Sequence, residues 1–135
     1  LLIDRGVHNF CVDAGGDMRL VGNKTLTIGM EYPNDTSMVI GTLALQNNSL
    51  CGSSGNRRQW GKYHHILNPK SLSSPTNILA TWVQAKDCIV ADGIATSLFF
   101  VEPKVLLKDF RFEYLCLYSD LSIQKSDGLS ATLFI

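Results

Sequence analysis

The stretch DCIVADGIATSLFFV, Asp87 to Val101, is the one segment of this 135-residue chain that reads as a long helix. Asp87 suits the N-cap, and Pro103 forces an end. Ile89, Val90, Gly93, Ile94, Ser97, Leu98 and Val101 recur at the i, i+3, i+4, i+7 spacing of one buried face. A second, short helix fits Pro103 to Lys108. Outward from there the period falls to 2 or to short apolar runs, the signature of strands. Upstream these are Val7 to Val12, Met18 to Val21, Thr25 to Met30, Ser37 to Gln46, Leu50 to Cys51, Tyr63 to Leu67 and Ile78 to Ala85. Downstream they are Phe112 to Tyr118, Leu121 to Lys125 and Ala131 to Ile135. Gly22-Asn23 reads as a hairpin turn, Glu31 to Thr36 as a loop around Pro33, and Gly52 to Asn56 as too rich in glycine and serine for a regular element. Many antiparallel strands with one long and one short helix packed on one face of the sheet make an α+β domain. No repeat or linker divides it, so residues 1–135 read as a single domain.

Composition agrees. Area scaling gives a folded surface of roughly 7,000 Å² with about 68% of the chain's surface buried, enough for a core without staples. Hydrophobic residues make up 45% and charged residues 18%, which excludes a disordered chain. Twelve basic and twelve acidic side chains cancel, and no segment reads as a concentration of Lys or Arg, so a general grip on nucleic-acid phosphates is not expected. The longest apolar run, Leu98 to Val101, is far short of the roughly 20 residues of a spanning helix.

Cys11, Cys51, Cys88 and Cys116 contain no C-x-x-C pair, which excludes a zinc ribbon or a thioredoxin-type motif. They read as small buried hydrophobes, with disulfides as the minority reading. N-x-S/T triplets at Asn23, Asn34 and Asn47 match chance occurrence. The opening Leu1-Leu2-Ile3-Asp4-Arg5-Gly6 has the pattern of a helix end closed by glycine, and reads as cut from something longer.

Four places exceed what a plain sheet-and-helix domain needs. In Val12 to Asp17 (VDAGGD), paired glycines allow close backbone approach, either as a cradle of N–H groups or as an ordinary β-turn. In Cys51 to Arg58 (CGSSGNRR), hydroxyls, amides and two guanidinium groups suit a phosphate, or else form a solvated loop. In Tyr63 to Pro69, His64 and His65 point to opposite faces of a strand, so one faces a site while the other is solvated. On the helix, Asp92 and Thr96 share a face bordered by Cys88, Ala91, Ala95 and Phe99. They are either two hard oxygen ligands for Mg²⁺ or a surface carboxylate beside a hydroxyl bonded back to the helix.

Taken together and in order, VDAGGD, SSGNRR (Ser53 to Arg58), YHHILNPKS (Tyr63 to Ser71) and ADGIAT (Ala91 to Thr96) resemble the ApbE family of FAD:protein FMN transferases. The likeness runs from about Gly6 to the turn Ser126-Asp127-Gly128. It implies an α+β, T-fold-like architecture, and places this chain as the C-terminal portion of such a transferase, without the upstream portion. It also implies Mg²⁺-dependent cleavage of FAD, with transfer of FMN to a threonine or serine hydroxyl of an acceptor flavoprotein such as a respiratory complex subunit. An FAD pyrophosphatase giving FMN and AMP, and a non-catalytic flavin-binding module, are the alternatives.

By the resemblance, Asp92 and Thr96 hold the metal and His65 is catalytic. Gly16, Asp17, Ser53, Ser54, Gly55 and Ile66 lie along the cofactor. Family members are commonly tethered outside the cytoplasmic membrane, with a cytoplasmic location as the alternative. The chain departs from the family pattern at Asn56 and Asn68, each in place of Asp, and at Arg57, in place of Tyr. Leu72 stands in place of Gly, and Ser74 is an added residue.

Overall fold

The computed structural model describes residues 1 to 134. A single 3-10 turn, Ile3–Arg5, closes on Gly6, whose φ of 79° is left-handed and whose N–H reaches the Ile3 carbonyl, the glycine-closed end expected from the sequence. Eleven strands follow among the described residues: β1 Phe10–Asp13, β2 Asp17–Val21, β3 Thr25–Tyr32, β4 Asp35–Gln46, β5 Ser49–Ser54, β6 Gln59–Trp60, β7 Tyr63–His64, β8 Ile78–Ala85, β9 Glu113–Tyr118, β10 Ile123–Lys125 and β11 Ala131–Leu133. Between β8 and β9 lie α1, Cys88–Ser97, and α2, Pro103–Leu106. Ile135, at the end of the last expected strand, lies outside the described residues.

The strands form a six-stranded sheet in the order β1-β2-β5-β8-β9-β10, a three-stranded sheet β11-β4-β3 and the small ribbon β6-β7, and all pairings are antiparallel. The α+β class read from the sequence is the observed one. Alternation along the central strands separates the two faces of the large sheet. Cys51 of β5, Val83 and Ala85 of β8, and Tyr114 and Cys116 of β9 point to the helical side, where Ala91, Ile94, Ala95 and Leu98 of α1 meet them and Leu106 of α2 joins. Leu50, Leu115 and Leu117 point the other way, onto Met30, Ile40, Leu43 and Leu45 of the small sheet. The molecule is therefore three layers deep: helices, large sheet, small sheet.

Several local expectations are corrected. Gly22-Asn23 is no hairpin: β2 belongs to the large sheet and β3 to the small one, so this turn carries the chain between layers. The tight hairpin is instead β3–β4, with only Pro33 and Asn34 between the strands and a register shift at Glu31. Glycine and serine do not stop β5, which continues through Ser54 because Gly52 and Ser53 pair with Trp82 and Thr81 of β8. The strand read at Tyr63 to Leu67 ends at His64.

On α1, Ile89 is 83% exposed, while the buried stripe is Ala91, Ile94, Ala95 and Leu98. The larger side chains drew the stripe about one residue off, since Ala91 and Ala95, and not Ile89, share the sheet-facing side with Ile94 and Leu98. All four cysteines are free thiols, and Cys11 is exposed rather than buried. Burial pushes the Cys116 thiol up to about 12. Cys51 Sγ lies 3.5 Å from Cys88 Sγ, and burial foremost, then Cys88 and Asp17, raises the Cys51 thiol well above its ordinary value.

The end of α1 is pinned by one buried hydroxyl. Phe99 N–H bonds to the Thr96 carbonyl, which leaves the Ala95 carbonyl without its usual i+4 partner. Thr81 of β8, fully buried, donates its hydroxyl to that carbonyl at 2.7 Å. Replacing Thr81 by Val is expected to cost about 1–3 kcal/mol, the desolvation of an orphaned carbonyl. Urea denaturation checks this, and a loss under about 0.5 kcal/mol would show that the helix end is held by other contacts.

Candidate active site

Where the edge of α1 meets β2, β5 and the β5–β8 connection, the layers leave an open cavity of about 590 Å³. That size suits a cofactor-sized ligand. Gly16, Asp17, Ser53, Ser54, His65, Asp92 and Thr96 all line it, although they are spread over 81 positions of sequence. Two residues placed there by the sequence reading are elsewhere. Ile66 is buried against Ile78 and Phe99, because the chain turns inward after His65. Gly55 borders a neighbouring cleft of about 250 Å³. A Cβ there would stand 3.1 Å from the His64 ring, so any side chain would have to push that ring aside by a few tenths of an ångström.

The two histidines divide differently from the expectation that one faces a site and the other is solvated. His64 is buried and bonded at both ring nitrogens. Ile66 N–H donates to Nδ1 at 3.3 Å, which assigns the proton to Nε2, bonded to the Pro75 carbonyl at 2.9 Å. Ser74 clasps the same residue, accepting from His64 N–H and donating to the His64 carbonyl, both at 2.9 Å. His64 is thus a structural brace. His65 stands beside it at the cavity, with ring centroids 6.3 Å apart. Partial burial first, then the Arg58 guanidinium and His64, hold the His65 imidazole below its ordinary value. The shift favours the neutral imidazole, the form that can accept a proton.

The glycine turn resolves as an ordinary turn. Asp13 Oδ1 accepts from Gly15 N–H at 2.9 Å and Gly16 N–H at 3.2 Å, so those amides are taken by the chain's own carboxylate and cradle no other anion. Their φ values of 82° and 112° explain the pair of glycines.

Thr96 does not bond back to the helix. Its Oγ1 meets Ser53 Oγ at 3.2 Å, whereas its neighbour Ser97 does donate to the Gly93 carbonyl at 2.7 Å. Asp92 and Thr96 therefore offer a carboxylate and a hydroxyl to the same cavity, a hard-oxygen pair that fits Mg²⁺. No cluster of three or more His, Cys, Asp or Glu side chains able to hold a metal occurs among the described residues.

Between Asp35 and Asp87 there is no carboxylate, and there are five cationic side chains: Arg57, Arg58, Lys62, Lys70 and Lys86. Arg57 and Arg58 line the cavity, and Arg57 pairs with Glu31 at 3.2 Å.

The departures from the family pattern have local reasons. Asn56 receives the Ser54 hydroxyl and donates its amide to the Pro33 carbonyl, both at 2.6 Å, a donor role that Asp cannot fill. Asn68 Oδ1 accepts from Lys70 and Ser71 N–H, as Asp would. Leu72 holds a left-handed φ of 53° where the family has glycine. Sequence reasoning missed Ser74 and Thr81 as supports, because an isolated hydroxyl on a strand or loop has no periodicity to reveal its partner.

Comparison with known proteins fits this geometry. The model of the ApbE family matches residues 1–112. The chain belongs to the ApbE family. An FAD:protein FMN transferase of Vibrio cholerae is 28% identical over an alignment 108 residues long, which covers 72% of this chain and 32% of that protein. The ApbE protein of Thermotoga maritima superposes with a TM-score of 0.77 at 26% identity, covering 87% of this chain and 42% of that one. The flavin transferase ApbE of Vibrio cholerae gives 0.68 at 20% identity, over 96% and 44%. This chain spans about a third of the curated relative's length and under half of the solved chains.

Two expectations follow. Arg58→Ala is expected to raise the His65 pKa, read by NMR titration of the imidazole, and an unchanged titration would remove Arg58 as a cause. Leu72→Gly is expected to raise stability by about 0.5–1 kcal/mol, as relief of the left-handed strain outweighs glycine's extra unfolded freedom. A lower melting temperature would contradict it.

Proposed function

We propose that this chain forms the C-terminal portion of an Mg²⁺-dependent FAD:protein FMN transferase, acting on a threonine or serine hydroxyl of an acceptor flavoprotein. The observation that carries the reading is the meeting of Asp92, Thr96 and His65 around one cavity, in a chain of the ApbE family.

The transfer joins the acceptor oxygen to the FMN phosphorus, breaks the bridging P–O bond, and releases AMP. His65 lies on the cavity wall in the state that accepts the hydroxyl proton as the oxygen attacks. His64 fixes the chain beside it, held by Ser74 and Pro75. Arg57 and Arg58 place positive charge beside the pyrophosphate, with geometry suited to phosphate oxygens. Asp92 and Thr96 would hold the cation, which neutralises charge on the leaving phosphate when bound. Hydrolysis of FAD to FMN and AMP is the second reading, favoured by the openness of the cavity to water, which would replace the acceptor hydroxyl.

The test is incubation with FAD and Mg²⁺, with and without an acceptor peptide, followed by chromatography of the flavin products. Covalent FMN on the peptide is expected. FMN and AMP regardless of peptide would select hydrolysis, and flavin binding without turnover would select a non-catalytic module. Asp92→Ala is expected to abolish the Mg²⁺-dependent part, and unchanged turnover would overturn the assignment.

A further inference from the structure

We propose that Ser53 is a positioning residue for the cation site, aiming the Thr96 oxygen by accepting its proton. This inference rests on the reading of Asp92 and Thr96 as the cation-holding pair.

A hydroxyl that gives a lone pair to a cation must send its proton to another acceptor. On a helix the nearest acceptor is the carbonyl four residues back, and Ser97 takes that course with Gly93. Thr96 does not. Its hydroxyl meets Ser53 Oγ at 3.2 Å.

The register explains why the serine is there. Ser53 of β5 and Thr81 of β8 are directly paired across the large sheet, and both reach the last turn of α1. Thr81 holds the Ala95 carbonyl at 2.7 Å, and Ser53 holds the hydroxyl of the next residue. Two paired strand positions thus clasp two consecutive helix residues. Thr81 fixes where the helix ends, and Ser53 fixes which way the Thr96 oxygen faces. Without Ser53 the Thr96 proton turns to the Asp92 carbonyl, and the lone pair rotates away from the cavity.

The experiment uses Mn²⁺ as the probe in place of Mg²⁺, with free Mn²⁺ measured by electron paramagnetic resonance in the presence of FAD, on the wild-type chain and on Ser53→Ala, Ser53→Thr and Asp92→Ala. A second readout, without metal or FAD, is the Thr96 χ1 rotamer from three-bond NMR couplings. Wild type is expected to bind Mn²⁺, Asp92→Ala to lose it, and Ser53→Ala to bind about tenfold more weakly. Ser53→Thr, which restores the hydroxyl, is expected to recover the affinity. Ser53→Ala is also expected to move Thr96 to the rotamer that bonds back to the helix. If Asp92→Ala loses Mn²⁺ while Ser53→Ala keeps wild-type affinity, or if the Thr96 rotamer is unchanged in Ser53→Ala, this inference fails alone. If wild type does not bind Mn²⁺, or Asp92→Ala binds it unchanged, the cation reading fails and takes the inference with it.

Discussion

The position of α1 over the large sheet governs the rest of the structure, and it is set by close contact rather than by bulk. Ala91 and Ala95 face Cys51, Val83 and Ala85 across the interface, so the helix lies near enough for a threonine hydroxyl to reach its backbone. Small side chains give up buried area, at about 25 cal/mol per Å² of apolar surface, but they permit that approach. The Thr81 bond to Ala95 then fixes the helix lengthwise. Every group that α1 contributes to the cavity inherits its position from this contact.

Much of this was legible beforehand, for physical reasons that differ by element. β8 was read with its observed bounds because Ile78 to Ala85 combines β-branched and aromatic residues with clear breakers on both sides. α1 was read as a helix because Asp87 and Pro103 bracket it, but its buried face was misplaced. Periodicity weights large apolar residues, and here half of the buried stripe is alanine. β5 was cut short because glycine and serine have low strand propensity, a preference that pairing with β8 overrides. The crossing at Gly22 was invisible, since a two-residue turn between apolar runs does not say which sheet each run joins.

The site divides along the same line. Asp92, Thr96, Ser53 and His65 were found from residue type and order, and they converge on one cavity. Their supports were not found. Ser74, Thr81 and the Asn56 amide act through single long-range hydrogen bonds, which leave no trace in local sequence. The glycine turn, open in sequence to an anion cradle or an ordinary β-turn, is the turn, its amides taken by Asp13. Ile66 misled in another way, because adjacent residues on an extended segment face opposite sides, and His65 had already taken the cavity side.

The mixture of charge around the cavity has a kinetic consequence. Arg57 and Arg58 share its lining with Asp17, Glu31 and Asp92, and Arg57 is already paired with Glu31 at 3.2 Å. Charges of opposite sign so close together cancel within a short distance, well inside the screening length of about 8 Å at 0.15 M salt. An anion diffusing past is therefore not drawn in from afar. Its capture is decided on contact, by exchange of one partner for another, and added salt would change the rate of encounter little.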